Sequence, residues 1–191
     1  MPMISGTGTT LTKTDSGTVT LGGTSANTYT GTTTVNAGVM NIQNNTALGT
    51  ATLGTTVNAG AALEVQGGLT AVAENITLNG TGVGGNGALR NVAGANTLTG
   101  ALTLASASEI QSDAGTLTLN GNIGGAAQNL TLDGAGNITI GGVIGTTSAY
   151  YLAQAGHQVT VIEYQNRVGG RLLSLPLRVP VAELAACGLP A

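Results

Sequence analysis

The chain has 191 residues and a formal net charge of −3, with 7 % charged residues, 2 % aromatic residues and no Trp or Phe. This length holds one domain, or one domain and a fragment; the charge excludes a basic nucleic-acid-binding surface, and the lone Cys187 excludes a disulfide framework or a multi-cysteine metal site. Apolar residues still reach 41 % and Gly numbers 32, a composition of small and β-branched side chains that suits a thin, stacked β architecture.

The N-terminus, Met-Pro-Met-Ile-Ser-Gly-Thr, has no positive n-region and no apolar h-region, so it does not read as a signal peptide. No apolar run approaches the about 18 residues of a membrane span. The next 140 or so positions repeat themselves, the signature of an array. Thr-Thr-Val-Asn-Ala-Gly stands at 33–38 and again at 55–60, an offset of 22. Ala-Asn-Thr-Tyr-Thr-Gly at 26–31 returns as Ala-Asn-Thr-Leu-Thr-Gly at 95–100, an offset of 69 and close to three such periods. Ser-Gly-Thr-Val-Thr-Leu-Gly-Gly at 16–23 returns as Ala-Gly-Thr-Leu-Thr-Leu-Asn-Gly at 114–121, and shorter copies stand at 75–80, 129–134 and 137–140.

Each run alternates apolar residues with Thr and stops at Asn-Gly, Asp-Gly or Gly-Gly. Alternation puts Val19 with Leu21, and Leu117 with Leu119, on an inner face and the threonines on the other. The Gly that follows supplies the positive φ of a tight turn. Strands this short bury a face only when stacked rung on rung. The spacing, with Pro absent from residues 3–175, predicts an all-β fold, a right-handed parallel β-helix or β-solenoid.

Chemistry is sparse in this half. Asp15, Asp113 and Asp133 lie beside turn glycines and read as turn stabilisers. A calcium-binding nonapeptide array needs repeated Gly-Gly-x-Gly-x-Asp. Gly84-Gly-Asn-Gly-Ala-Leu89 begins that way once and places Leu where Asp is required. With no clustered acid, base, nucleophile or metal set, no autonomous enzymatic activity is expected. The runs Gly8–Gly23, Tyr29–Gly38 and Ile140–Gly145 make residues 4–146 resemble the autotransporter-associated β-strand repeats of Gram-negative passenger domains. The resemblance implies a secreted or cell-surface stalk, with cell-surface or host contacts through the β-helix. Lacking that family's signal peptide and translocator barrel, the chain reads as a slice of a passenger.

From Asn137 the pattern changes to a strand (137–140), a glycine turn (Gly141, Gly142, Gly145), a helix (146–155) and a second strand (158–162) ending at Glu163. Gly156 stops the helix. This is the order of a dinucleotide-binding unit, with pyrophosphate at the turn and the ribose hydroxyls on the acid. Glu163 follows Gly142 by 21 residues, close to the expected spacing. Bases, Tyr and Pro also concentrate after this point, which supports a boundary: 1–141 as β-helical repeat, 142–173 as a partial FAD/NAD-binding unit, and 174–191 unassigned. His157 reads as a polar residue after the helix, and Cys187 as an inert apolar one.

Val161-Ile-Glu-Tyr-Gln-Asn-Arg-Val-Gly-Gly-Arg171 resembles the amine-oxidase pattern of FAD-dependent oxidoreductases, and the stretch 147–157 resembles the D-amino-acid dehydrogenase helix. The resemblance covers about 143–173. It implies FAD as cofactor, Glu163 on the adenosine ribose, and Gly169, Gly170 and Arg171 near the pyrophosphate. It departs at Ile140, which stands where the fingerprint has its first glycine. Two functions follow: a non-catalytic passenger fragment fused to an incomplete dinucleotide-binding motif, with no cofactor unless the tail is functional, or a fragment of a cytoplasmic FAD-dependent oxidoreductase acting on amines or amino acids.

Overall fold

The computed structural model describes residues 3–125 and 127–142, together with two strands at 160–162 and 174–176. In chain order the strands are β1 (Leu11–Lys13), β2 (Thr18–Leu21), β3 (Thr33–Val35), β4 (Gly38–Ile42), β5 (Thr55–Val57) and β6 (Ala61–Gln66). Then come β7 (Ile76–Gly80), β8 (Leu89–Ala93), β9 (Ala95–Leu98), β10 (Leu102–Ser112) and β11 (Thr116–Leu119). The last are β12 (Ile123–Gly124), β13 (Leu130–Asp133), β14 (Asn137–Ile140), β15 (Thr160–Ile162) and β16 (Ser174–Pro176). Among the described residues there is no α-helix, only a 3-10 turn at Val83–Gly85.

The strands stack in parallel along three faces of a β-solenoid. The first face runs β1, β3, β5, β7, the first half of β10, then β12; the second runs β2, β4, β6, β8, the second half of β10, then β13. A register shift between Leu104 and Ser108 lets β10 turn the corner and serve both. The third face is β9, β11, β14 and β15. Residues 4–9 add a rung beneath Tyr29: Thr28 N–H donates to the Ile4 carbonyl and Thr30 N–H to that of Gly6.

Because the pairing is in register, inward residues form columns. Val19, Met40, Leu63, Leu89, Ile110 and Leu132 make one on the second face, and Leu98, Leu119 and Ile140 make one on the third. The alternation therefore places Leu117 and Leu119 inside, as expected, and both are buried. Val19 is a correction. It points along its column but remains 39 % exposed, because β2 is the first rung and nothing stacks beneath it. On the first face the division between apolar and Thr sides also fails, since Thr33 and Thr55 point inward beside Val35 and Val57 and are buried. Their hydroxyls are satisfied there: Thr33 bonds the Tyr29 hydroxyl at 2.6 Å, and Thr55 donates to Glu74 at 2.9 Å.

Coil length is not uniform. Leu11, Thr33 and Thr55 are 22 apart, Ile76 follows Thr55 by 21, Leu102 follows Ile76 by 26, and Ile123 follows Leu102 by 21. The long coil extrudes a loop between Thr81 and Gly87, closed by the Gly87 N–H to the Thr81 carbonyl at 2.9 Å. The calcium-like Gly84–Leu89 run falls in and just after this loop. These steps bring Thr33 into line with Leu102, so the copies at 26–31 and 95–100 are three coils apart. Asn27 and Asn96, at the same place in those copies, both tie a coil to the one beneath. Asn27 accepts from Ile4 N–H at 2.9 Å, and Asn96 from Gly68 and Leu69 N–H at 3.0 and 2.8 Å. The copies at 16–23 and 114–121 are not stacked: β2 lies on the second face and β11 on the third.

The tail's expected helix at 146–155 lies outside the described residues. Its expected second strand appears as β15, parallel to β14 with Ile140 opposite Val161; β16 then pairs antiparallel to β15.

Leu119 is 1 % exposed between Leu98 and Ile140. Leu119→Asp is expected to destabilise by about 3 kcal/mol or more, as an unpaired charge in the column, whereas Val19→Asp is expected to cost less than about 1 kcal/mol. Denaturant melts of the two variants check this; equal losses would contradict the open-ended column.

Candidate functional site

The glycine turn after β14 is the described part of the site expected from sequence. Ile140 is 3 % exposed and continues the Leu98–Leu119 column, so it serves as a core residue at the end of a strand. Gly141 and Gly142 N–H both donate to the Leu119 carbonyl, at 2.8 and 3.3 Å. Thr99 and Gly100 do the same to Val72, at 2.7 and 3.2 Å. A Cβ at Gly142 would overlap the Gly121 carbonyl, one at Gly121 the Gly100 carbonyl, and one at Gly100 the Glu74 carbonyl. The turn is therefore the last of a ladder of corners at which successive coils approach too closely for a side chain. Such a corner needs glycine whatever else binds there.

Parallel pairing gives β14 and β15 a common C-terminal edge, the edge on which a dinucleotide sits in open α/β sheets. Gly141 and Gly142 follow β14 on that edge, and β15 ends there at Ile162. Gly145, Glu163, Gly169, Gly170 and Arg171 lie outside the described residues.

A second polar cluster was not read from sequence. On the outer side of the second face, register aligns Asn41, Glu64, Arg90, Gln111 and Asp133. Arg90 bridges Glu64 at 3.1 Å and Asp113 at 2.5 Å. Asn41 donates to Glu64 at 3.0 Å, and Gln111 to Asp113 at 2.7 Å. The Asp113 hydrogen bond is the main force holding the Arg90 guanidinium above its ordinary value. Asp113 is thus an ion-pair partner, whereas Asp133 keeps the expected turn role and accepts from Gly134 N–H at 2.7 Å. A uniform period of 22 hides this cluster, because Glu64 and Arg90 are joined across the 26-residue coil. The guanidinium and the amides thus engage the Glu64 and Asp113 carboxylates. Among the described residues no group of three His, Cys, Asp or Glu is placed to hold a metal, and no helix is long and apolar enough to cross a membrane.

Two family models match the chain. The one described as passenger-associated-transport-repeat covers residues 11–42, which are β1 to β4. The one described as NAD(P)-binding Rossmann-like domain covers residues 141–186. Both resemblances read from the sequence are thereby matched, and the second extends past Leu173, where the likeness was expected to end. It opens at Gly141, on the last described corner of the solenoid. No curated protein matches, and no solved structure matches.

Arg90→Ala would leave Glu64 and Asp113 facing each other across neighbouring coils. Discounted for partial exposure, the loss is expected to be about 1–2 kcal/mol and to shrink in high salt; chemical denaturation at two ionic strengths measures it. Burial, then repulsion from Asp133, raises the Glu109 carboxyl above its ordinary 4.5. A raised acid stabilises the fold below its ordinary value, and that stability is lost as pH climbs through the raised folded value. Glu109→Gln is therefore expected to flatten the fall in melting temperature between mildly acidic and neutral pH.

Proposed function

We propose that residues 1–141 are a non-catalytic scaffold of the surface-passenger type, joined at Gly141–Gly142 to a dinucleotide-binding segment over 142–173, with 174–191 as a separate tail. The observation that carries this reading is the unbroken stack. Inward columns and corner glycines continue to Ile140 and Gly142, while the charged groups of the second face pair with one another instead of opening onto a substrate. The passenger reading places the scaffold outside the cell, where its outer faces would meet cell-surface or host partners.

For the tail, the finer reading is FAD held by the Gly141–Gly145 turn, with Glu163 on the ribose and Gly169, Gly170 and Arg171 at the pyrophosphate. Two features of the turn argue for weak binding. Ile140 occupies the place of the fingerprint's first glycine, and the Gly141 and Gly142 amides already donate to Leu119. The alternative is a fragment of a cytoplasmic FAD-dependent oxidoreductase. It is favoured by the parallel β14–β15 pair and by the match over 141–186. The 21-residue step from Ile140 to Val161 suits both, since it equals the coil length of the preceding rungs on that face.

A flavin absorption spectrum of the purified full chain separates the two. The scaffold reading expects a colourless protein and no amine- or amino-acid-dependent peroxide above background. Stoichiometric yellow flavin, with peroxide production abolished by Glu163→Ala, would establish the oxidoreductase instead.

A further inference from the structure

Away from the turn and the charged stripe, a pocket of about 230 Å³ opens between the loop around Leu48, Gly49 and Ala51 and the rung Ala71–Glu74. Small side chains create it, because Ala51, Ala71 and Ala73 leave the groove between neighbouring coils unfilled. Glu74 lies on its wall and is 5 % exposed. One carboxylate oxygen, Oε1, accepts from Thr55 at 2.9 Å. The other, Oε2, has no donor among the described residues. Among the described residues no cation compensates the group either: Arg90 is committed to Glu64 and Asp113, and the Lys13 ammonium bonds the carbonyls of Asp15 and Ala37. A buried carboxylate without a counter-charge is costly.

The rest of the wall offers little polar recognition. Asn45 Oδ1 accepts from Thr70 N–H and its Nδ2 donates to Thr70 Oγ1, so both ends of the amide are used. The Thr46 hydroxyl bonds Asn44. A sugar or nucleotide needs several convergent polar groups, whereas this pocket presents one anionic group among methyls. The geometry points to a small primary alkylammonium ion as the ligand, its head on Glu74 Oε2 and its chain against Ala51, Ala71 and Ala73. The volume suits a short chain, being somewhat larger than the roughly 150 Å³ cavity that accepts benzene. Burial holds the Glu74 carboxyl above its ordinary 4.5, against the opposing Thr55 hydrogen bond. Tyr29 is the other titratable group coupled to it, and burial raises that phenol as well. An ammonium ion binds the carboxylate form, so affinity is expected to rise with pH through the Glu74 range.

The test is isothermal titration of the full chain with n-butylammonium chloride at neutral pH, with n-butanol as the uncharged isostere. Saturable binding of the ammonium is expected, at least about tenfold weaker for the alcohol and for Glu74→Gln, the usual scale for loss of a charge-assisted hydrogen bond. Ala73→Leu fills the groove from its exposed side and is expected to abolish binding, while Glu109→Gln leaves it intact. If Glu74→Gln fails to fold, Ala73→Leu decides. No saturable binding, equal affinity for n-butanol, or binding unaffected by Ala73→Leu would overturn the proposal. None of these outcomes depends on whether the tail holds flavin.

Discussion

Close backbone approach at the corners is the constraint on which the remaining structure depends. Neighbouring parallel strands lie about 4.8 Å apart, and at a corner the chain must also change direction within that spacing. At Gly100, Gly121 and Gly142 the approach leaves no room for a Cβ against the carbonyl below. Once these corners are seated, register follows, and register places Leu98, Leu119 and Ile140 in one column and Met40, Leu63, Leu89 and Ile110 in another. The apolar column rewards stacking, and the glycine corner makes stacking sterically allowed.

Aliphatic columns alone do not satisfy the backbone where strands give way to loops. Asn27 and Asn96 supply acceptors to the N–H groups of the coil below. Asn91 is buried on the second face in register with Val65 and Ser112, where it donates to Ser112 at 3.0 Å and to the Ala114 carbonyl at 2.9 Å, and accepts from Asn96 at 2.6 Å. These buried amides cost little because each is bonded, and they favour one stacking order over a slipped one. Glu74 differs from them. It is inside the solenoid with one bonded oxygen and no cation among the described residues, and it borders a groove that small side chains leave open.

The corner at Gly142 shows how two unrelated demands can fall on the same residues. A solenoid corner needs glycine because backbone meets backbone, and a phosphate-binding turn needs it because backbone meets ligand. A coil of 21 residues and a strand-helix-strand crossover also return the chain to the neighbouring strand at nearly the same spacing. Gly141, Gly142 and the β14–β15 pair therefore fit both architectures, although the amides at this corner are already committed to Leu119.

Period-two alternation and Asn-Gly or Gly-Gly stops determined, from the sequence alone, that 8–140 form short stacked strands, because strand side chains alternate between faces and Gly permits the turns. They determined that Leu117 and Leu119 face inward. Both family matches coincide with the resemblances that the residues carried. Tertiary structure alone decided which residues meet between coils. The longer coil that carries the 81–87 loop shifts the later partners, so Glu64 faces Arg90, 26 residues on, rather than the residue 22 places on. It also decided that Val19, a good strand residue, stays half-exposed on a terminal rung, and that Thr33 and Thr55 turn inward to Tyr29 and Glu74. Local pattern specifies the face of each strand; burial and pairing depend on the coils above and below, whose alignment is a sum over all intervening loop lengths.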